Sequence, residues 1–250
     1  MRRNDDRRSF RNSNRAVSNT LGFVLVFALM IMSVGVVATY GMGALEESRD
    51  FVRQSNAERA LTIGGAGLNE IARGETPGRS SQIELRDGSL SLQNDTTVSV
   101  TVDGTTYTYH PRTLVYAQAD GEIRYQSGAV FRVSRSGSVG QTKPLLTCGD
   151  DGAVVSVVTL RPAEGPTSVG SGSVQLSASR NRTKLSYPGS RGSDAVSDVS
   201  IEVTSPQSDA WNRLLSDLDG WSDPDGDGAY TCDASQVYVR HTIVDVRFVS

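Results

Sequence analysis

The pattern of apolar and polar positions changes character twice along the chain. From Ala16 to Leu45 no residue is charged, and within that stretch Leu21–Tyr40 reads LGFVLVFALMIMSVGVVATY. Its only non-apolar members are Gly22, Ser33, Gly35 and Thr39. About twenty residues at ~1.5 Å each make a helix of ~30 Å, the thickness of a bilayer's hydrocarbon core. A buried core helix of that length would show a polar face, and this one has none, so the pattern predicts a membrane helix over 17–45.

Beyond the span the period becomes helical. Ala57, Ala60, Leu61, Gly64, Leu68 and Ile71 fall on one face, with Glu58, Arg59, Asn69, Glu70 and Arg73 largely off it. This predicts a helical stem over 46–74. Gly64, Gly65 and Gly67 lower helix propensity and predict a break, and Gly74 with Thr76-Pro77-Gly78 predicts the end.

From Ser81 onward the period is two. Asp-Gly pairs at Asp87-Gly88, Asp103-Gly104 and Asp120-Gly121 sit between alternating runs and predict three consecutive hairpins, a meander. Ala129–Val133 adds a strand, and Ser134–Gln141 reads as a polar loop. Ala153–Leu160, AVVSVVTL, suits a strand buried on both faces. Ser173–Ala178, Ser200–Val203 and Tyr238–Val249 are further strands. Ser208–Leu218 reads as a short helix with Ser208 as N-cap and Trp211, Leu214, Leu215 and Leu218 inward. The fold class is therefore α+β: a long N-terminal helix, then a β-rich sandwich-like or open-barrel domain over 75–250 with one late helix.

Charge gives the helix a direction. Residues 1–16 hold Arg2, Arg3, Arg7, Arg8, Arg11 and Arg15, a basic leader, whereas Glu46, Glu47 and Asp50 follow the span. The positive-inside rule places the leader in the cytoplasm and residues 46–250 outside a cell membrane crossed once. A net charge of −3 argues against nucleic acid as a partner. Only Lys143 and Lys184 among the 25 basic residues are lysine.

Arg15-Ala16-Val17-Ser18-Asn19-Thr20-Leu21-Gly22 sets a basic and a small residue before the apolar run. This resembles the class III signal of archaeal type IV pilin-like proteins. The resemblance implies a prepilin-type peptidase that cuts between Ala16 and Val17 and leaves the helix on the mature chain. Ser18 and Gly22 match the family's pattern, whereas Asn19 stands where proline is common. Tyr125-Gln126-Ser127-Gly128-Ala129-Val130-Phe131 and Trp211-x-x-Leu214-Leu215 carry a looser likeness to uncharacterised pilin-like proteins of halophilic archaea. What the resemblance implies is a structural subunit of a surface filament, a pilus, packed against other pilin-like subunits, with adhesion a property of the head. An uncleaved anchor and conventional cleavage near Gly43 stay open as readings of the N-terminus. A solitary anchored protein whose β domain binds a ligand or partner without polymerising stays open as a reading of the whole.

Candidate chemistry is sparse. No G-x-S-x-G, P-loop, H-E-x-x-H or C-x-x-C occurs, so an enzyme is not expected. His110 and His241 read as structural. Asp223, Asp225 and Asp227 match the front of a calcium loop, but Ala234 occupies the position of the expected Glu, and the alternative is an acidic turn. No other cofactor is expected. Cys148 and Cys232, the only cysteines, both fall in the exterior part, where a disulfide can persist. Asn94 and Asn181 begin glycosylation sequons.

Overall fold

The computed structural model describes residues 13–119, 121–188 and 198–249. Helix α1, Ser13–Arg73, is one continuous helix. The chain divides into two compact units, Met1–Gln54 and Ser55–Ser250. The last turns of α1 thus belong to the β-rich unit, which begins within the predicted stem and not after it.

No break occurs at Gly64, Gly65 and Gly67, contrary to expectation. The glycines serve contact with the sheet. A Cβ on Gly65 would lie 2.8 Å from Val130 and 3.1 Å from Tyr125. The helix end is as the sequence predicts: Gly74 has φ +88°, its N–H donates to the Ile71 carbonyl, and the Glu75 N–H donates to that of Glu70. This pair of bonds is the Schellman arrangement, which a left-handed glycine permits.

Thirteen strands follow among the described residues: β1 (Gly78–Gln93), β2 (Thr97–Val102), β3 (Thr105–Tyr109), β4 (Thr113–Gln118), β5 (Gly121–Gln126), β6 (Ala129–Ser134), β7 (Gly137–Thr142), β8 (Leu146–Gly149), β9 (Gly152–Pro162), β10 (Ser168–Tyr187), β11 (Asp198–Thr204), β12 (Ala229–Asp233) and β13 (Val237–Val249). Helix α2, Ser208–Ser216, sits between β11 and β12. Nine strands form a half-barrel sheet in the order β7-β6-β5-β4-β1-β10-β13-β9-β8. Four form a second sheet, β12-β11-β2-β3. All pairings are antiparallel except β13 with β9.

Of the three predicted hairpins, Asp103-Gly104 joins β2 and β3 with φ of +50° and +72°, the left-handed pair that a tight hairpin turn demands. The turn at Gly121 joins β4 and β5, with Asp120 itself outside the described residues. Asp87-Gly88 is no hairpin. It marks register shifts inside the single strand β1, which passes from pairing with β10 alone to pairing with β10 and β4. A Cβ on Gly88 would come within 2.9 Å of the Ala117 carbonyl, so the glycine answers to a close backbone approach. The meander is β4 to β7 instead. The expected loop Ser134–Gln141 is largely β7, the sheet edge, where ladder bonds replace apolar burial and Gly140 admits Leu214 of α2. Ser208 does not cap α2. Gln207 holds the cap position, and the Ser208 hydroxyl donates instead to the Ser205 carbonyl at 2.7 Å.

The core is double because the large sheet is buried on both faces. Ala153, Val155 and Val157 of β9 pack with β2, β11, β12 and α2. Val158 and Leu160 of the same strand pack with Leu61, Leu68, Ile71 and Ala72 of α1. Odd and even residues of a strand point to opposite faces, so β9 serves both cores, and so does β13 through Val237 and Val239 on one side and Val244, Val246 and Phe248 on the other. This is the physical meaning of the near-continuous apolar run AVVSVVTL.

Candidate functional site

The apolar part of α1 spans Thr20–Thr39 and is long and apolar enough to cross a membrane. Every large apolar side chain from Leu21 to Val37 is between 50% and 72% exposed, on all sides of the helix. Its polar groups are satisfied internally. The Ser33 hydroxyl donates to the Met30 carbonyl at 2.8 Å, and the Thr39 hydroxyl to that of Gly35 at 2.7 Å. These two hydroxyls thus carry no unsatisfied-donor penalty in hydrocarbon. Phe23 and Phe27 stack at 6.2 Å along one side. Arg15, Ala16 and Val17 lie on helical backbone, their side chains outside the described part, and residues 1–12 lie outside it altogether.

The far end of α1 is mounted in the β-rich unit by a hub that the sequence reading did not assemble. Asn69, expected off the packing face, is buried. Its amide donates to the Gly128 carbonyl at 2.8 Å and its oxygen accepts from the Tyr125 hydroxyl at 2.9 Å. Burial pushes the Tyr125 hydroxyl far up from its usual pKa and keeps it a donor. Both partners belong to the Tyr125–Phe131 segment, which is the β5–β6 hairpin. Its tip, Ser127 and Gly128, has φ of +42° and +101°. From the same hairpin, Gln126 accepts from the Trp211 indole at 2.8 Å and donates to Gln207 at 2.8 Å. Phe131 packs its ring 5.1 Å from that of Trp211. Ala129 and Phe131 enter one core while Val130 enters the other, against Gly65. The two loosely matching sequence stretches therefore touch each other, and one of them grips the helix. An Asn at helical spacing beside Leu68 was the available signal, and it reads as surface until the hairpin is in place.

The polar chain continues from Gln207 to Arg124, whose guanidinium donates to Gln207, Asp95, Glu122 and Gln93. Burial works against the Arg124 charge. Hydrogen bonds to Glu122 and Asp95 outweigh it, so the pKa rises above the ordinary arginine value.

The other sequence candidates are more dispersed. Cys148 of β8 and Cys232 of β12 form a disulfide with Cα atoms 6.0 Å apart. Asp223 spends both carboxylate oxygens on backbone, accepting from the N–H of Gly226 at 2.8 Å and of Gly228 at 3.1 Å. Asp227 accepts from the N–H of Ala229 at 2.9 Å. These are turn-closing bonds. Among the described residues no group of three or more His, Cys, Asp or Glu converges as a metal site, so Asp223, Asp225 and Asp227 are not brought together as ligands. Asn94 is exposed in the β1–β2 loop, while Thr96 of its sequon is buried. Asn181 is exposed on β10, its amide nitrogen donating to Asp245 at 3.0 Å. His110 faces Thr97, and His241 contacts Thr159 at 2.9 Å and the Tyr109 ring.

One protein family, described as a family of unknown function (DUF7289), matches residues 15–247, nearly the whole chain, and the chain belongs to it. The match begins at Arg15 and so takes in the apolar helix together with the β-rich unit. No curated protein and no solved structure matches the chain.

Proposed function

We propose that this member of a family of unknown function is a membrane-anchored, type IV pilin-like subunit of a surface filament, with a structural role. One observation carries the reading: a single helix, Ser13–Arg73, is uniformly apolar and exposed over one part and built into a β-rich unit by its last turns. A helix of that kind is at home in lipid, and equally at home among similar helices once it leaves the lipid. The continuity of the apolar part with the turns that enter the β-rich core supports a helix that stays on the mature chain over a cleaved secretion signal. In this reading the basic leader stays in the cytoplasm, the peptidase cuts between Ala16 and Val17, and the β-rich unit lies outside the cell.

The test is fractionation of cells producing the native chain. The mature protein should begin at Val17 by N-terminal sequencing and be recovered in sheared surface filaments. Recovery only in the membrane fraction, with Met1 still present, would favour a solitary anchor. Recovery as a soluble protein beginning near Ala44 would overturn both readings.

A further inference from the structure

The node around Arg124 holds more than an ion pair. Thr113 of β4 and Gln93 of β1 are directly opposed partners in an antiparallel ladder, which sets their Cβ atoms about 4.5–5.5 Å apart on the same face. The Thr113 residue is fully buried. Its hydroxyl donates to Asp95 Oδ1 in a short contact and lies 3.0 Å from the Thr96 hydroxyl. The opposing Gln93 carboxamide oxygen accepts from Arg124 Nη2 at 3.0 Å. Arg124 Nη1 in turn donates to Asp95 Oδ2 at 2.6 Å. A residue whose hydroxyl is bonded to a carboxylate therefore stands across the ladder from one whose carboxamide is polarised by a guanidinium, and one carboxylate ties the two halves together.

We propose that these residues form an ester cross-link between Gln93 and Thr113 by their own chemistry. Asp95 takes the proton from Thr113 Oγ1 as that oxygen bonds to the Gln93 side-chain carbonyl carbon. This is nucleophile activation by an adjacent base. Negative charge gathers on Gln93 Oε1, where the Arg124 guanidinium already donates. Collapse breaks the bond from that carbon to Nε2, and the departing nitrogen takes the proton held by Asp95 and leaves as ammonia. One amide is lost and one ester gained, and no oxidant, metal or further reactant takes part. Gln93 is only partly buried, so the ammonia has a way out. The product would fasten β1 to β4 in the middle of the half-barrel, at a place the disulfide does not reach. The inference is independent of the filament reading and would hold for a solitary anchor.

Mass spectrometry of the full chain extracted from membranes, reduced and digested with trypsin, decides it. Cleavage after Arg86, Arg112 and Arg124 places Gln93 and Thr113 on neighbouring fragments. The expected result is the pair of fragments 87–112 and 113–124 joined through their side chains, one ammonia lighter than the sum of the two fragment masses, with fragment ions placing the junction at Gln93 and Thr113. Mild alkali should cleave the link and leave Glu at position 93. Thr113→Val and Gln93→Glu should each abolish the ammonia loss, whereas Thr113→Ser should retain it. Wild-type fragments at full sequence mass would overturn the proposal without recourse to any variant. An ammonia loss that persists in Thr113→Val would overturn it too, by assigning the loss to another residue.

Discussion

A glycine's worth depends on what a methyl group would meet in its place. Gly65 and Gly67 sit two residues apart on the same helix, and replacing either by Ala relieves about 1 kcal/mol of helix cost. At Gly67 the new Cβ would lie 3.4 Å from the aliphatic part of Arg79, an ordinary contact. At Gly65 it would lie 2.8 Å from buried Val130, which has nowhere to go. We therefore expect opposite signs on denaturant unfolding of a 55–250 fragment. Gly67→Ala should stabilise by up to about 1 kcal/mol, and Gly65→Ala should destabilise, because overpacking costs about 1–3 kcal/mol. Equal signs would mean that the helix does not seat on β5 and β6 as described. His241 supplies a second test at this scale. Burial, then the positive charges of Arg182 and Lys184, lower its pKa. Between that lowered value and the ordinary value of about 6.5, the unfolded chain binds a proton that the folded chain refuses. Stability should thus be full above about pH 6.5 and fall as the pH drops through that window. His241→Gln should flatten the fall, and an unchanged pH profile in that variant would show that His241 is not its source.

At the scale of elements, α1 unites two segments with different surroundings. The apolar segment should tolerate no charge: Val26→Arg is expected to cost about 2.5–3.5 kcal/mol of membrane insertion, read as loss of the chain from the membrane fraction. The mounted segment should be indispensable to the head. Leu61, Leu68, Ile71 and Ala72 fill one face of the large sheet, and a buried Leu or Ile is worth about 1.5–3 kcal/mol. A 55–250 fragment should fold, whereas a 74–250 fragment should expose that face and aggregate or bind a hydrophobic dye. A cooperative, soluble 74–250 fragment would contradict the double core. Both segments were legible in the sequence, because each rests on periodicity along a single element. So were the Asp103-Gly104 turn and the α2 face, whose chemistry is local. Illegible were features decided across elements. Asp87-Gly88 has the composition of a hairpin, but its outcome was settled by strands β10 and β4 arriving from later in the chain. The polarity of β7 hid a strand, since an edge needs only one partner. Asn69 falls off the helix's apolar face by its spacing, and only the fold supplies the partners that let it, Gln126 and Arg124 be buried.

For the molecule as a whole, the disulfide ties together the edges of its two sheets. Cys148 stands on β8, an edge of the nine-stranded sheet, and Cys232 on β12, an edge of the four-stranded sheet. Gly220 lies against the bond with φ +79°, and a Cβ there would come 2.7 Å from the Cys148 sulfur, so the loop after α2 is fitted to it. The two cysteines are 84 residues apart, and closing a loop of that length restricts the unfolded chain by about 4–5 kcal/mol in the chain-entropy model. Against a typical domain stability of about 5–15 kcal/mol this is a large share. Replacing both cysteines by Ala should lower the unfolding free energy of a 55–250 fragment by up to that amount, and reducing the wild-type fragment should lower it equally. The loss should also have a direction. The core shared by β8, β12, β11 and α2 lies at the seam between the two sheets, whereas the core around the end of α1 lies on the opposite face of the large sheet. Hydrogen exchange in the reduced fragment should therefore accelerate in β8, β11 and β12 before β1 and β10. Uniform acceleration would mean that the two cores unfold as one unit, and an unchanged unfolding midpoint after reduction would mean that the bond restrains nothing the sheets do not already hold.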